Sequence, residues 1–181
     1  NDFLVITRPD VIEAIHDSFL AVGVDVVETN TFRSNPLTLK EYDLAERTRE
    51  INHTAAALAR AVADKYSTPE QPRFVAGSIG PSGMLISADD PTLSNITYDE
   101  LVAAFKEQAL GLITGGVDVL LIETSQDILE VKATVHGIQA AFDELGARLP
   151  IQCQVTLDVT GRMLLGTDIN AALTTLAGLN A

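Results

Sequence analysis

The sequence predicts an α/β fold built from parallel βα repeats. Residues 119–122 are apolar on both faces and end in Glu123, which is typical of a buried parallel strand. The same pattern, with Gly-Val-Asp-Val entering a strand and Glu-Thr leaving it, occurs at both 23–29 and 116–124. Strand-like and helix-like segments alternate, and no hairpin signal separates them. We therefore expect parallel strands joined by right-handed crossovers.

The first helix is expected to open at residues 7–10, where Thr7 offers a hydroxyl cap and a proline follows early. Apolar residues at helical spacing are expected to face the sheet, namely Ile12, Ile15, Phe19 and Val22. The strand that follows leads into a polar loop at 29–36.

The remaining elements follow from apolar periodicity, capping residues and glycine or proline stops. The predicted strands are 24–28, 73–78, 119–123 and 151–158. The further helices are predicted at about 41–66, 97–115, 128–145 and 167–177. Thr97 and Glu100 form a capping box, and Asp127 and Glu130 repeat that arrangement. Long loops are expected after the second strand, up to Ile96, and at 160–166.

This βαβα order fits either a doubly wound open sheet or part of a (β/α)8 barrel. A whole barrel needs eight strands and about 250 residues, so 181 residues with four strands would form about half of one. In both architectures the carboxyl ends of the strands carry the chemistry. Glu123, at the end of the central strand, is therefore the leading candidate for a functional side chain.

The composition excludes several classes of protein. A hydrophobic content of 46% supplies a buried core for one domain, so disorder is not expected. A formal net charge of −13 opposes general binding to nucleic acid or to anionic membranes. No apolar run approaches the ~20 residues that span a bilayer. We expect a cytoplasmic protein.

No metal site is expected within this chain. Cys153 is the one cysteine, and its position in a predicted strand indicates a small core residue. His16, His53 and His136 each fall alone on a predicted helix, whereas a zinc site needs three or four ligands.

Two other patterns leave alternatives open. The glycine-rich segment 77–83 is compatible with a phosphate cradle, with a tight βα turn, or with a wall beside a small zwitterionic ligand. Glu28 and Glu123 could act as a carboxylate pair, but the sequence does not set their separation.

Four segments together resemble the homocysteine-binding domain of cobalamin-dependent methionine synthase. They are residues 27–32, 75–81, 121–133 and 161–168, and the resemblance covers nearly the whole chain in order. Glu-Thr-Asn-Thr-Phe at 28–32 and the Gly-Arg-x-Leu-x-Gly loop at 161–166 are more similar to this family than to its relatives that take methyl from betaine or S-methylmethionine.

The resemblance implies a (β/α)8 barrel in which zinc, held by three cysteines, binds the sulfur of homocysteine. Zinc would deprotonate a thiol whose ordinary pKa is ~8.5, and the thiolate would attack the methyl group of methylcobalamin. It also implies that Glu123 holds the α-ammonium of the substrate, with Thr124 beside it. Asn30, Ser78 and Gly80 are implied as further substrate-binding residues on neighbouring loops.

The sequence also departs from that family. The opening strand with its Asp-Gly-Ala-Met-Gly-Thr turn and all three zinc cysteines are not found, and the closing residues 178–181 suit a helix-to-strand turn. We therefore expect residues 1–181 to be a partial homocysteine-binding barrel domain, strands two to five, that is inactive alone and prone to self-association. Zinc, cobalamin and the methyltetrahydrofolate- and cobalamin-binding domains would belong to the full-length enzyme. The alternatives are a betaine- or S-methylmethionine-dependent methyltransferase and a non-catalytic assembly or regulatory module.

Overall fold

The computed structural model describes residues 1–86, 90, 92 and 95–179. The α-helices are α1 (Leu4–Thr7), α2 (Pro9–Ala21), α3 (Pro36–Leu39), α4 (Thr48–Tyr66), α5 (Tyr98–Gly115), α6 (Ile128–Leu145) and α7 (Ile169–Ala177). The strands are β1 (Val26–Glu28), β2 (Phe74–Ile79), β3 (Val119–Ser125) and β4 (Ile151–Val155). Short 3-10 turns at Lys40–Tyr42 and Ala45–Arg47 precede α4.

The four strands form one parallel sheet in the order β1-β2-β3-β4. Val27 lies opposite Val75, and Ser78 lies opposite Leu121. A doubly wound sheet would reverse its strand order at a switch point, whereas this order follows the sequence without reversal. The predicted α/β class with parallel repeats is confirmed, and the arrangement is that of four consecutive strands of a barrel.

The helices cover one face of the sheet. Val27, Val75 and Leu120 point into a core shared with the long helices and are at most 5% exposed. Alternate residues point to the other face, where Val26 is 47% and Phe74 is 42% exposed. We call this second side the open face of the sheet. Glu28, Ser78 and Glu123 alternate with core residues near the carboxyl ends of β1, β2 and β3, so their side chains belong to this open face.

The predicted caps are correct for two helices, with one exception. Thr97 accepts from the Glu100 amide and Glu100 reaches back to the Thr97 amide, so the capping box of α5 is confirmed. Asp127 caps α6 by accepting from the Leu129 amide. Glu130 does not return to the cap, because its carboxylate accepts hydrogen bonds from Ser82 instead.

The predicted inward stripe of α2 is largely wrong. Ile12, His16 and Leu20 are buried, whereas Ile15, Phe19 and Val22 are 46%, 56% and 80% exposed respectively. Both stripes have helical spacing, so periodicity alone could not choose between them. Thr7 is not a cap either, because it is the last residue of α1 and its hydroxyl donates to the Phe3 carbonyl, while Arg8 stands at the N-cap position of α2.

The helix predicted at 41–66 begins only at Thr48, since the segment before it forms the short helix α3 and the 3-10 turns. Parts of the predicted loop up to Ile96, and the last two residues of the predicted turn at 178–181, lie outside the described residues. Within the described part of the chain, no helix has the length and apolar content that crossing a membrane requires.

Candidate functional site

The carboxyl ends of β1, β2 and β3 bring Glu28, Ser78 and Glu123 to one edge of the open face. Strand β2 lies between the other two, so Ser78 stands between the two carboxylates. The Ser78 hydroxyl donates a hydrogen bond to Glu123 Oε1 at 2.5 Å. Such a short bond from a hydroxyl to a carboxylate oxygen holds the side chain of Glu123 in one orientation. The predicted site residues Ser78 and Glu123 are thus in direct contact.

An irregularity in β3 sets the position of Glu123. The pairing of β3 with β4 shifts register between Ile122 and Ser125, so Glu123 and Thr124 lie within a bulge. Thr124 has φ 58°, in the left-handed region that β-branched residues rarely adopt. Its side chain is exposed beside Glu123. Local strain of this kind is often found at ligand-binding sites.

Glu28 interacts electrostatically with the carboxylate of Glu123. Partial burial raises the pKa of Glu28, and the negative charge of Glu123 raises that pKa further. Two like charges at one strand edge attract a cation, because a positive group between them would relieve the repulsion. The sequence suggested this pair without setting its separation, and the sheet order supplies the proximity.

Asn30 follows Glu28 and keeps one unsatisfied polar atom. Its amide nitrogen donates to the Asn1 carbonyl at 3.3 Å, and its Oδ1 is buried with no hydrogen-bond partner among the described residues. Glu28 and Asn30 both line a groove of about 380 Å³ between α2 and β1. A buried acceptor without a donor is costly, so Asn30 is available to a ligand that carries N–H groups.

Gly80 serves packing within the sheet. Its amide donates to the Phe32 carbonyl at 2.8 Å, and a Cβ atom at this position would lie 2.6 Å from that oxygen. The amides of Ser78 and Ser82 are also bound, to the Thr29 hydroxyl and to the Glu130 carboxylate. These internal bonds leave those amides no role in a phosphate cradle.

The side chains of the described residues do not fit a zinc ion. Among the described residues, no group of three or more His, Cys, Asp and Glu side chains lies close enough to hold a metal. Cys153 is half-buried, and burial raises the pKa of its thiol to about 11, which opposes the thiolate form that zinc binds. The residues that the structure describes therefore provide no set of ligands for zinc.

Comparisons with known proteins identify the family of the chain. A family model described as Homocysteine S-methyltransferase matches residues 1–181. The chain is 44% identical over 179 residues to a methionine synthase of Mycobacterium tuberculosis (strain ATCC 25618 / H37Rv), and 43% identical over 173 residues to that of Mycobacterium leprae (strain TN). These matches cover 99% and 96% of the chain but only 15% and 14% of the relatives, so the chain spans about a seventh of their length.

Solved structures show the same fold. The metallated form of the homocysteine methyltransferase MmuM from Escherichia coli superposes with a TM-score of 0.79 at 21% identity. That match covers 97% of this chain and 62% of MmuM. The apo form of MmuM gives a TM-score of 0.75 at 20% identity.

Proposed function

Because the chain belongs to the homocysteine S-methyltransferase family, we propose that it binds the amino-acid end of homocysteine for methyl transfer. The observation that carries this proposal is the Glu123 carboxylate, oriented by Ser78 at 2.5 Å, beside the second carboxylate of Glu28. An α-ammonium group has a positive charge and three N–H donors, which match this acidic edge.

Each residue has a proposed role. Ser78 occupies Glu123 Oε1, so the other carboxylate oxygen of Glu123 is directed to the ammonium. Glu28 adds negative charge, and Asn30 Oδ1 offers a buried acceptor for another N–H. We propose that Thr124 contacts the substrate from the bulge, and that Gly80 contributes through its packing on Phe32. Fixed acceptors of this kind orient a substrate before reaction.

We propose that the chemical step depends on other parts of a longer methionine synthase. The relatives at 43–44% identity bear that name and are about seven times longer, which supports a parent enzyme with further domains. Zinc that activates the sulfur, and domains that bind methylcobalamin and methyltetrahydrofolate, would belong to those parts. Since the described residues do not fit zinc, we expect these 181 residues alone to bind substrate without transferring methyl.

The choice of methyl donor rests on sequence similarity. The methionine synthases at 43–44% identity, together with the segments 28–32 and 161–166 that resemble the cobalamin-dependent enzymes, support the cobalamin-dependent donor over betaine or S-methylmethionine. We also propose a cytoplasmic location, as expected for amino-acid biosynthesis.

Calorimetric titration of L-homocysteine into the chain tests the proposal. The Glu123→Gln variant should bind on the order of 10- to 100-fold more weakly, because a hydrogen bond between two charged groups becomes one to a neutral amide. Glu107→Gln, which removes an exposed carboxylate on α5 that pairs with Arg49 on α4, should bind as the parent chain does.

The analogue 4-mercaptobutyrate, which lacks the ammonium, separates the proposed contact from general binding. The parent chain should prefer homocysteine, and Glu123→Gln should lose most of that preference. Equal affinity of the parent chain for both compounds would contradict the role of Glu123.

A further inference from the structure

The chain continues along β2 after β1 ends at Glu28. The Thr29 amide donates to the Ala76 carbonyl at 2.9 Å, and the Gly80 amide donates to the Phe32 carbonyl at 2.8 Å. Between these two backbone bonds, two threonine side chains of the segment after β1 bind the backbone of Ser78. Its amide donates to Thr29 Oγ1 at 3.0 Å, and its carbonyl accepts from Thr31 Oγ1 at 2.7 Å.

These bonds form a closed ring with one possible direction. The two threonine hydroxyl oxygens are 2.7 Å apart, and each hydroxyl has one proton to donate. Thr31 uses its proton on the Ser78 carbonyl, so Thr29 must donate to Thr31. The ring therefore runs from the Ser78 amide through the Thr29 and Thr31 hydroxyls to the Ser78 carbonyl.

Water cannot readily replace any member of the ring. Thr31 is completely buried, and Thr29 and Ser78 are at most 3% exposed. Gln108 on α5 also binds two members of the ring. Its Nε2 donates to the Thr31 carbonyl at 2.8 Å and to the Ser78 carbonyl at 3.4 Å. Hydrogen bonds in such a chain strengthen one another in a low-dielectric interior.

We propose that Thr29 and Thr31 are positioning residues for the substrate ammonium, acting through Ser78 on Glu123. The ring holds both backbone polar groups of Ser78, and the Ser78 hydroxyl orients the carboxylate at 2.5 Å. Thr29 and Thr31 are both buried, and their hydroxyls bind each other and the backbone of Ser78. This inference rests on the proposed binding of homocysteine.

A double-mutant cycle tests the inference by calorimetric titration of L-homocysteine. Thr31→Val removes the hydroxyl and keeps the shape of the side chain. We expect it to weaken binding about fivefold to tenfold in the parent chain and to have little further effect in a Ser78→Ala background. Thr31→Ser, which keeps the hydroxyl, should restore most of the affinity. Equal losses in both backgrounds, or no loss in the parent chain, would overturn the inference.

Thr134→Val is the matched control. Thr134 is a buried threonine on α6 whose hydroxyl donates to the Glu130 carbonyl at 2.9 Å, so the substitution removes the same type of bond away from Ser78. Its affinity for homocysteine should equal that of the parent chain. A similar loss of affinity in Thr134→Val would mean that loss of stability, and not positioning, explains the effect.

A second measurement does not depend on ligand binding. With ¹³C-labelled glutamate, the carboxyl signal of Glu123 should move in Thr31→Val in the direction seen in Ser78→Ala, and it should stay in place in Thr134→Val. If the chain bound no homocysteine, the proposed function would be overturned. The carboxyl signal would still show whether the ring positions Glu123. An unmoved Glu123 signal in Thr31→Val would overturn the positioning role.

Discussion

Asp118 Oδ2 lies 2.7 Å from the backbone nitrogen of Val75 and accepts its hydrogen bond, as a neighbouring strand would do. The same oxygen accepts from Arg60 Nη1 at 2.7 Å. Asp118 is the aspartate of the second Gly-Val-Asp-Val segment, and Asp25 of the first pairs with Arg73 at 2.6 Å. Asp118 therefore connects the residues before β3 to Arg60 of α4. Asp25 connects the residues before β1 to Arg73, which directly precedes β2.

Asp118→Ala should lower the free energy of unfolding by about 1–3 kcal/mol, because the buried Val75 amide loses its acceptor. Asp64→Ala is the control, since Asp64 pairs with the same Arg60 but is largely exposed. That change should cost at most about 1 kcal/mol. Urea unfolding measures both changes. Equal losses would show that the ion pair with Arg60, and not the hydrogen bond from the Val75 amide, explains the effect of Asp118→Ala.

Gly80→Ala should destabilise the fold by about 1–3 kcal/mol, because the new Cβ would meet both the ring and the carbonyl of Phe32. Gly178→Ala provides a comparison, since its nearest contact would be 3.4 Å and its φ of −73° suits any residue. Thermal unfolding should separate the two variants. A normal melting temperature for Gly80→Ala would mean that β2 and the Phe32 loop move apart easily.

Thr124→Gly should stabilise the chain by about 1 kcal/mol, since glycine adopts the left-handed backbone that threonine is forced into. Asp43→Gly, at φ 57°, is the matched case with a residue that tolerates this region, so its gain should be smaller. Urea unfolding measures both changes. A loss of stability in Thr124→Gly would show that the threonine side chain makes a stabilising contact.

Glu130 should make the stability of the chain fall as pH rises. Burial raises the pKa of this carboxyl against the lowering effect of its bonds to Ser82. The folded chain thus binds the proton more tightly than the unfolded chain, and the contribution of this group is largest below the ordinary carboxyl pKa. The difference in unfolding free energy between the parent chain and Glu130→Gln should decrease from about pH 4 to about pH 7.

Glu144→Gln gives the opposite sign as a control. The hydrogen bond to Lys106 lowers the pKa of Glu144, so the contribution of that group is present above its ordinary pKa and is lost on acidification. The difference in unfolding free energy between the parent chain and Glu144→Gln should therefore rise from about pH 4 to about pH 7. If both differences changed in the same direction, the assignment for Glu130 would be wrong.

The chain should self-associate through its open face and free strand edges. Among the described residues, β1 pairs only with β2 and β4 only with β3, so two edges carry unpaired backbone groups. Val26→Lys on the open face should reduce association, whereas Ala57→Lys on the exposed side of α4 should not. Light scattering over a range of concentrations measures this, and a parent chain that stays monomeric throughout would contradict the prediction.

Much of the fold could be predicted because its signals are local. The apolar run before Glu123, the capping box at Thr97 and the glycine stop at Gly116 each act within one element. The buried side of α2 could not be predicted, since Ile12 with Leu20 and Ile15 with Phe19 each place apolar residues on one side of the helix. Packing mainly against α4 selects between them, since Ile12 lies in a cluster with Ile51 and Ala55.

The candidate site was predicted in part. Glu123 and Ser78 were expected at the same end of the sheet, and they are bonded to each other. The roles of Thr29, Thr31 and Gln108 were missed, because a threonine in a polar loop and a glutamine on a helix give no local sign of a shared partner. The threonines at alternate positions after Glu28 were the one available signal.

By itself the sequence determined the succession of strands and helices, the parallel pairing and the end of the sheet at which carboxylates collect. These properties depend on neighbours within a few residues and on the handedness of the chain. Tertiary structure alone decided that β2 stands between Glu28 and Glu123, and that two threonine hydroxyls close a ring on Ser78. Such bonds join residues almost fifty positions apart, so their formation depends on strand order and register.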